Sequence, residues 1–428
     1  MNIVFKSFSW LLFEKIIVMA VLFSINIYII RVLGPDQFGQ LAFFQLVIGI
    51  MIALLDFGFR RVYISQSSKH ISLKILPYIL KYKLYLSSFI AFLLSILVGF
   101  DVLEEVYLLL LIIIIFSPLE VYSYYYESNL NHKRLVKIRL AVTLGISALR
   151  VAICMSGWPL YWLILTYTIQ MPISNLISYL FFKVDEPDIK TTKKNKQMTI
   201  LLSNIKYRSL FFWLSFLVVQ LHLRSDQISI KALIDFQSLG FYVAAYKFVE
   251  QLLSLASMAS NVFLPYVSKM AKSEYDNYLV KVYTWGLLAS LPISITVYFA
   301  SELIISVFLG DEYKASVLPL KILGLSLPVL VLSNLSGLFY SINKLERFAF
   351  IRNVAGCLVS FIVCWLTIPY MGIEGAAVAV LISYFIVSFI IELFIPSCRR
   401  NIFIKMSAIK ELLSLPKNLT LLIIRKRN

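Results

Sequence analysis

"RVLGPDQFGQ", Arg31–Gln40, stands between two apolar runs. The fifteen residues from Ile16 to Ile30 carry no charge, and none follows from Leu41 until Asp56. Proline lacks a backbone N–H and glycine leaves the chain free to turn, so Gly34-Pro35 predicts a break in the first helix. Two long uncharged runs around a short polar turn read as a pair of membrane helices.

Composition supports the membrane reading. The chain has 428 residues, is 60% hydrophobic and only 15% charged, and has a mean hydropathy of +0.83. Soluble domains are about 25% charged. So little polar surface cannot cover a water-soluble globule of this size, which leaves lipid as the solvent. The net charge of +17 then calls for a membrane explanation, since basic residues gather in cytoplasmic loops. Nucleic acid is not an expected partner, because no soluble module offers a basic face. The first apolar run continues to Arg31 without a small-residue cleavage site and is expected to be a retained helix rather than a signal peptide. Cys154, Cys357, Cys364 and Cys398 lie in or beside apolar runs without CxxC spacing, as small buried hydrophobes do.

Runs of roughly 20 apolar residues are each long enough to cross about 30 Å of hydrocarbon. About twelve occur, near 8–31, 38–60, 78–100, 105–126, 138–156, 159–182, 208–233, 240–266, 282–308, 317–341, 348–370 and 374–395. The predicted fold is an all-α polytopic membrane protein with two six-helix lobes: 1–182, a cytoplasmic polar linker 183–200, then 201–395 and a basic tail 396–428. About 32 of the 40 Lys and Arg fall on one side of this arrangement, and only Arg31, Lys231, Lys314 and Lys321 on the other. That bias puts both termini in the cytoplasm. In the tail, Ile402, Met406, Ile409 and Leu413 recur at helical spacing, with Lys405, Lys410 and Glu411 off the stripe. This reads as an amphipathic helix on the inner leaflet; the other reading is a disordered basic end.

A charge at mid-bilayer costs about 2.5–3.5 kcal/mol on the insertion scale, so the charges inside runs mark water-filled cavities or partners. Lys15 either snorkels to the cytoplasmic face or lines a cavity. In "LLDFGFRR", Asp56 and Arg60 are four apart and read as a self-paired couple. Arg150 stands alone toward the outer end of the fifth run. "VVQLHLRSDQISI" holds His222, Arg224 and Asp226. His222 and Asp226 lie one turn apart, and a His beside a carboxylate is a means of proton coupling. The other reading has Arg224 and Asp226 bonded to neighbouring helices. Lys247 and Glu250 are spaced to pair, and Glu392 reads as interfacial. "EVYSYYYESN" (Glu120–Asn129) is either an interfacial aromatic belt or a sugar-stacking surface.

GxSxG, HExxH, Walker and strand-bound GxGxxG motifs are all missing. His70, His132 and His222 are too scattered for a metal site. No cofactor is expected, and no loop is long enough to house a sugar polymerase or ligase. A transporter, not an enzyme, is the expectation. A weak internal repeat places "FGQLAFFQ" after the first helix and "LGFYVAAYK" after the seventh, aligning Gly39 with Gly240. Halves repeated in the same order imply an axis along the membrane normal.

"RVLGPDQFGQLAFFQ", "DFGFRR", "RSDQISIKAL", "LGFYVAAYKFVEQLLSLASMASNVFLPYVSK" and "GIEGAAVAVLISY" resemble, in order and spacing, the polysaccharide-exporter family, and within it bacterial O-antigen flippases of the Wzx type. The resemblance runs from about Phe5 to about Phe394. Gly34, Pro35, Phe38 and Gly39 match the first family motif; Asp226, Gly240, Tyr242, Ala245 and Pro265 match the second. Gln227 departs from the aliphatic-basic pattern that often follows the Asp. The resemblance implies a fold similar to multidrug extruders and the lipid II flippase, with two lobes around a central cavity. It implies a bacterial inner-membrane location and a cargo of undecaprenyl-diphosphate-linked O-antigen units. Among its implied partners are bilayer lipids, an O-antigen polymerase and a chain-length regulator. For such an anion, Arg224, Lys15, Arg60, Arg150, Lys247 and Arg31 are the expected cavity cations, with Asp226 and His222 for coupling. A multidrug antiporter is the rival, although its cationic cargo favours acidic or apolar walls.

Overall fold

The computed structural model is helical, and no strand occurs among the described residues. The backbone is described except at residues 1, 65–68, 101–103, 129–131, 187–195, 268–273 and 426–428. Side chains are also outside the description at 2–17, 61–62, 69–72, 132–133, 196–208, 259, 261–262, 264–266 and 415–425. Lys15, His70, His132 and Pro265 therefore lie outside the described residues, as does most of the linker 183–200.

In chain order the helices are α1 (Asn2–Asp56), α2 (Phe59–Ile64), α3 (Lys69–Gly99), α4 (Leu110–Phe116), α5 (Val121–Ser128), α6 (His132–Met155) and α7 (Leu160–Asp185). They continue with α8 (Lys196–Leu233), α9 (Phe236–Val267), α10 (Tyr275–Phe308), α11 (Val317–Ile342), α12 (Glu346–Phe385), α13 (Glu392–Phe394) and α14 (Arg399–Arg425). All twelve predicted runs fall on helical segments. The first two share α1, and the last two share α12 and the π-helical turn Ile386–Ile391. Among the described residues seven stretches are long and apolar enough to cross a membrane: 18–56, 73–99, 105–128, 134–155, 275–308, 311–342 and 346–394. The protein is a multi-pass membrane protein.

Arg31–Gln40 is a kink rather than a loop. Gly34 takes φ 69° and ψ 171° inside α1, and Pro35 opens the next helical piece. Only glycine adopts that backbone without steric cost. Gln40 Nε2 then donates to Asp36 Oδ2 at 3.0 Å, already one helical turn on. Arg31 is exposed.

The chain forms two compact units, residues 44–221 and residues 1–43 with 222–428. In the first, the tyrosine-dense segment is core. Tyr124 and Tyr126 are fully buried, and Tyr122 packs on Tyr179 and Phe182. Tyr126 donates to Asp185 Oδ2 at 2.7 Å and Tyr125 to Glu186 Oε1 at 2.5 Å. Neither an interfacial belt nor a stacking surface describes these rings. The Tyr125 and Tyr126 hydroxyls find carboxylates at the end of α7 and that of Tyr124 donates to Glu120, which lets these rings enter the core with their polar ends paired.

In the second unit α1 crosses α9 at two glycines. A Cβ on Gly39 would lie 1.7 Å from the Phe236 carbonyl oxygen, and one on Gly240 would lie 1.9 Å from that of Pro35. The pair aligned by the sequence repeat thus meets at a single backbone crossing. Small residues at such crossings let membrane helices approach closely, which matters where lipid removes the hydrophobic drive for association.

The tail helix α14 docks on this unit through Ile404, Lys405 and Ala408, all buried, while Phe403, Met406 and Leu413 face outward. Its anchor is Glu392, which is fully buried rather than interfacial. Glu392 Oε1 accepts from Arg352 and from the Tyr340 hydroxyl, both at 3.1 Å. Glu392 Oε2 accepts from Asn401 and Lys405, both at 2.9 Å. Lys405 also donates to the Ser388 carbonyl at 2.8 Å. A lone buried carboxylate is costly, and four donors around it make the position tenable.

Candidate functional site

In the unit built from 1–43 and 222–428, the polar residues of α8 divide between two neighbours. Asp226 turns to α9: the Tyr242 hydroxyl donates to its Oδ2 at 2.5 Å, and the Gln227 amide donates to its Oδ1 at 2.9 Å. His222 turns to α12. Its ring stacks on Tyr384 with centroids 5.1 Å apart, and a Cβ on Gly356 would lie 2.6 Å from its Cε1. Beside them the Ser225 and Ser360 hydroxyls meet at 2.6 Å. His222, Ser225, Asp226 and Gln227 are all buried. The nitrogens His222 Nε2 and Gln227 Nε2 have no hydrogen-bond partner among the described residues. Asp226 and His222, one turn apart in sequence, are thus held by different helices.

Arg224 is half-buried and joins Glu250 and Lys247 of α9. Arg224 Nη2 lies 3.3 Å from Glu250 Oε1, and Lys247 Nζ lies 2.9 Å from Glu250 Oε2. Arg224 Nη1 also reaches Gln227 Oε1 at 3.4 Å. The expected Lys247–Glu250 pair is present, and Arg224 makes it a triad with two cations on one carboxylate. That leaves a net positive charge, with Glu250 one-third exposed (33%).

The unit of residues 44–221 repeats this stoichiometry. Arg60 forks onto Glu127 through Nε at 2.9 Å and Nη2 at 3.0 Å, and Arg139 adds a third bond at 3.1 Å. Arg60 does not pair with Asp56 as its spacing suggested. Asp56 instead accepts the Gly58 amide at 3.0 Å, which caps the turn out of α1. Four residues separate Asp56 from Arg60, but the helix stops between them, so the i,i+4 geometry is lost.

Lys83 lay outside the sequence reading. It is fully buried, donating to Glu120 Oε2 and to the Tyr124 hydroxyl, both at 2.9 Å. Its partners lie 37 and 41 residues away, so no local pattern reveals it.

Arg150 is buried between α6 and α7. It donates to Thr166 Oγ1 at 3.0 Å and to Gln170 Oε1 at 2.6 Å, and its Cζ lies 3.5 Å over the Tyr167 ring. Among the described residues no carboxylate forms an ion pair with it. Within its own unit, Arg224 joins Lys247 on Glu250, Arg60 joins Arg139 on Glu127, and Arg150 is held by Thr166 and Gln170. Among the described residues no His, Cys, Asp and Glu cluster could hold a metal.

The site combines a buried carboxylate held by hydroxyl and amide donors with a triad of two cations on one carboxylate. Comparison with known proteins bears on this. A family profile described as polysaccharide biosynthesis protein matches residues 29–318, more than half of the chain. The chain belongs to that family. Its fold is shared with the lipid II flippase MurJ in an inward closed conformation, at a TM-score of 0.67 and 15% identity over 94% of this chain and 92% of that one. It is also shared with an inward-facing multidrug resistance MATE family transporter of the MOP superfamily, at 0.63 and 11% identity over 92% and 94%. A point mutant of the Vibrio cholerae MATE transporter VcmN aligns at 0.54 and 15% identity over 96% and 98%. Comparison with curated protein sequences yields no match. The fold of this family member is therefore that of flippases and multidrug transporters.

Proposed function

We propose that the protein is a flippase that carries undecaprenyl-diphosphate-linked O-antigen units, or a related polysaccharide repeat, from the cytoplasmic to the periplasmic leaflet of the bacterial inner membrane. The observation that carries this reading is the Arg224–Glu250–Lys247 triad. It is a half-buried group with one positive charge in excess, in a chain of the polysaccharide biosynthesis family. A diphosphate cannot cross hydrocarbon unaided, and fixed cations replace its water shell. Cationic drugs, the cargo of the rival reading, favour acidic or apolar walls over a pair of cations.

Transport in this reading is by alternating access and is driven by an ion gradient, with protons as the first choice. Asp226 and His222 are the coupling groups, Asp226 bonded to the Tyr242 hydroxyl and His222 stacked on Tyr384 of α12. O-antigen polymerase and a chain-length regulator are the partners that receive the cargo.

Leaflet-specific labelling of lipid-linked repeat units tests the reading in cells lacking the gene. Accumulation on the cytoplasmic face, relieved by the wild-type gene, is expected. Arg224→Ala and Asp226→Asn at normal protein levels should fail to relieve it. Full relief by both variants refutes the site, and periplasmic repeat units in the deletion strain without a paralogue refute the flippase.

A further inference from the structure

Helices α9, α10 and α11 line an open cavity of about 270 Å³. Its walls include Phe263, Trp285, Gly286, Ala289, Ile293 and Val331, and they are almost entirely apolar. Trp285, at its rim, is 68% exposed, and Ile293 is exposed too.

On α10 the residues Lys281, Trp285, Ala289 and Ile293 follow one another at intervals of four, a single ridge along one face, and all four are exposed. The last three line the cavity. The short Ala289 side chain leaves the hollow between the two large ones. From Lys281 to Ile293 the ridge spans about 18 Å at 1.5 Å per residue, close to the thickness of one leaflet's hydrocarbon, roughly 15 Å. The cavity lies in the half of the helices nearest the α9–α10 connection, which the positive-inside bias places in the cytoplasm. Lys281 is at that end.

We propose that this cavity seats the polyprenyl chain of the substrate in the inner leaflet, with Lys281 meeting its diphosphate; the inference rests on the flippase reading above. An apolar cavity of about 150 Å³ takes up benzene, so this one accommodates about ten carbon atoms, or roughly two isoprene units. Lipid tails are as apolar as the cavity wall, so burial alone supplies no selectivity. Selection comes from shape and charge. A chain with a methyl branch on every isoprene unit is broader than a straight acyl chain and fills a hollow rather than a slot. A diphosphate carries more charge to Lys281 than a phosphodiester does.

The test uses the full-length protein in nanodiscs of phosphatidylethanolamine and phosphatidylglycerol. The probe is a benzophenone-bearing polyprenyl diphosphate, and crosslinks are mapped by mass spectrometry. Labelling is expected within Leu252–Phe263 and Val282–Ile293, displaced by unlabelled polyprenyl diphosphate and not by added phosphatidylglycerol. Lys281→Gln should cut labelling about fivefold, the loss of one interfacial cation. Ala289→Trp, which fills the hollow, should abolish it. Leu288→Trp, on the adjacent face outside the cavity, should leave it unchanged.

Equal displacement by phosphatidylglycerol overturns the proposal and makes the cavity a place for ordinary bilayer chains. So does unchanged labelling in both Lys281→Gln and Ala289→Trp. A parallel translocation assay separates the two readings. Wild-type translocation without cavity labelling overturns this inference alone, and cavity labelling without wild-type translocation overturns the flippase.

Discussion

Replacing Glu392 with Gln removes the one carboxylate between Arg352 and Lys405 while keeping its size. The glutamine carbonyl can satisfy one donor, but Arg352 then stays charged in a buried position without a carboxylate, and Lys405 must stay charged beside it or give up its proton. Breaking a buried ion pair on one side costs about 3–5 kcal/mol, because the remaining charge is left uncompensated. The tail helix can escape that cost by undocking, since Lys405 and Asn401 both belong to α14. At about 1.4 kcal/mol per tenfold change, undocking should become roughly 10²-fold to a few thousandfold more frequent. Cys398, buried at the start of α14, reports it. A membrane-impermeant maleimide should label Cys398 faster in Glu392→Gln by that factor, with amide exchange in 399–414 rising in parallel. Adding Arg352→Met and Lys405→Met should restore protection, since apolar residues replace buried ion pairs at little cost. Labelling at the wild-type rate in Glu392→Gln refutes the idea that this carboxylate holds the tail.

The docking should also depend on pH. Burial presses the Lys405 ammonium down to about 8, with Arg352 adding to the effect and Glu392 opposing it. The docked helix therefore sheds this proton before the undocked one does, and docking strengthens as pH rises from about 8 toward the ordinary lysine range. Exchange protection of 399–414, corrected for intrinsic rates, should be higher near pH 9 than near pH 7, and Lys405→Met should flatten the profile. Gly39→Ala and Gly240→Ala each drive a Cβ into a carbonyl oxygen and should destabilise the purified protein by about 3 kcal/mol or more. Gly49→Ala, with nothing within 4 Å, is the neutral comparison in the same thermal unfolding assay. Glu127→Gln strips the fork from Arg60 and a bond from Arg139; a loss of about 1–3 kcal/mol is expected, and an unchanged unfolding midpoint refutes the structural weight given to Glu127.

The helical segments were legible because lipid imposes a simple rule: long uncharged runs become helices that satisfy their own backbones. Gly34-Pro35 was legible for an equally local reason. Charge partners were legible only when they lay on the same helix. Lys247 and Glu250, three apart on α9, pair as their spacing suggests. Asp56 and Arg60 do not, because a left-handed turn at Gly58 (φ 70°) ends the helix between them. Glu392 read as interfacial because it follows an apolar run; its cations come from positions 40 residues before it and 13 after it, and no periodicity encodes them. The tyrosine-dense segment misled in another way. Tyrosine suits a membrane interface, a sugar surface or a core equally well until the partners of its hydroxyl are known.

The glycine crossing carries a consequence for how this chain tolerates change. Gly39 and Gly240 align in the weak sequence repeat, and each lies against the backbone of the other's segment. Duplicated segments ordinarily free one copy to drift while the other keeps the original role. Here a larger residue in either copy fails at the same point of contact, so the second copy offers no shelter to the first. The two positions behave as one locus under a shared constraint: a larger residue at either glycine breaks the same contact, and neither glycine can cover for the other.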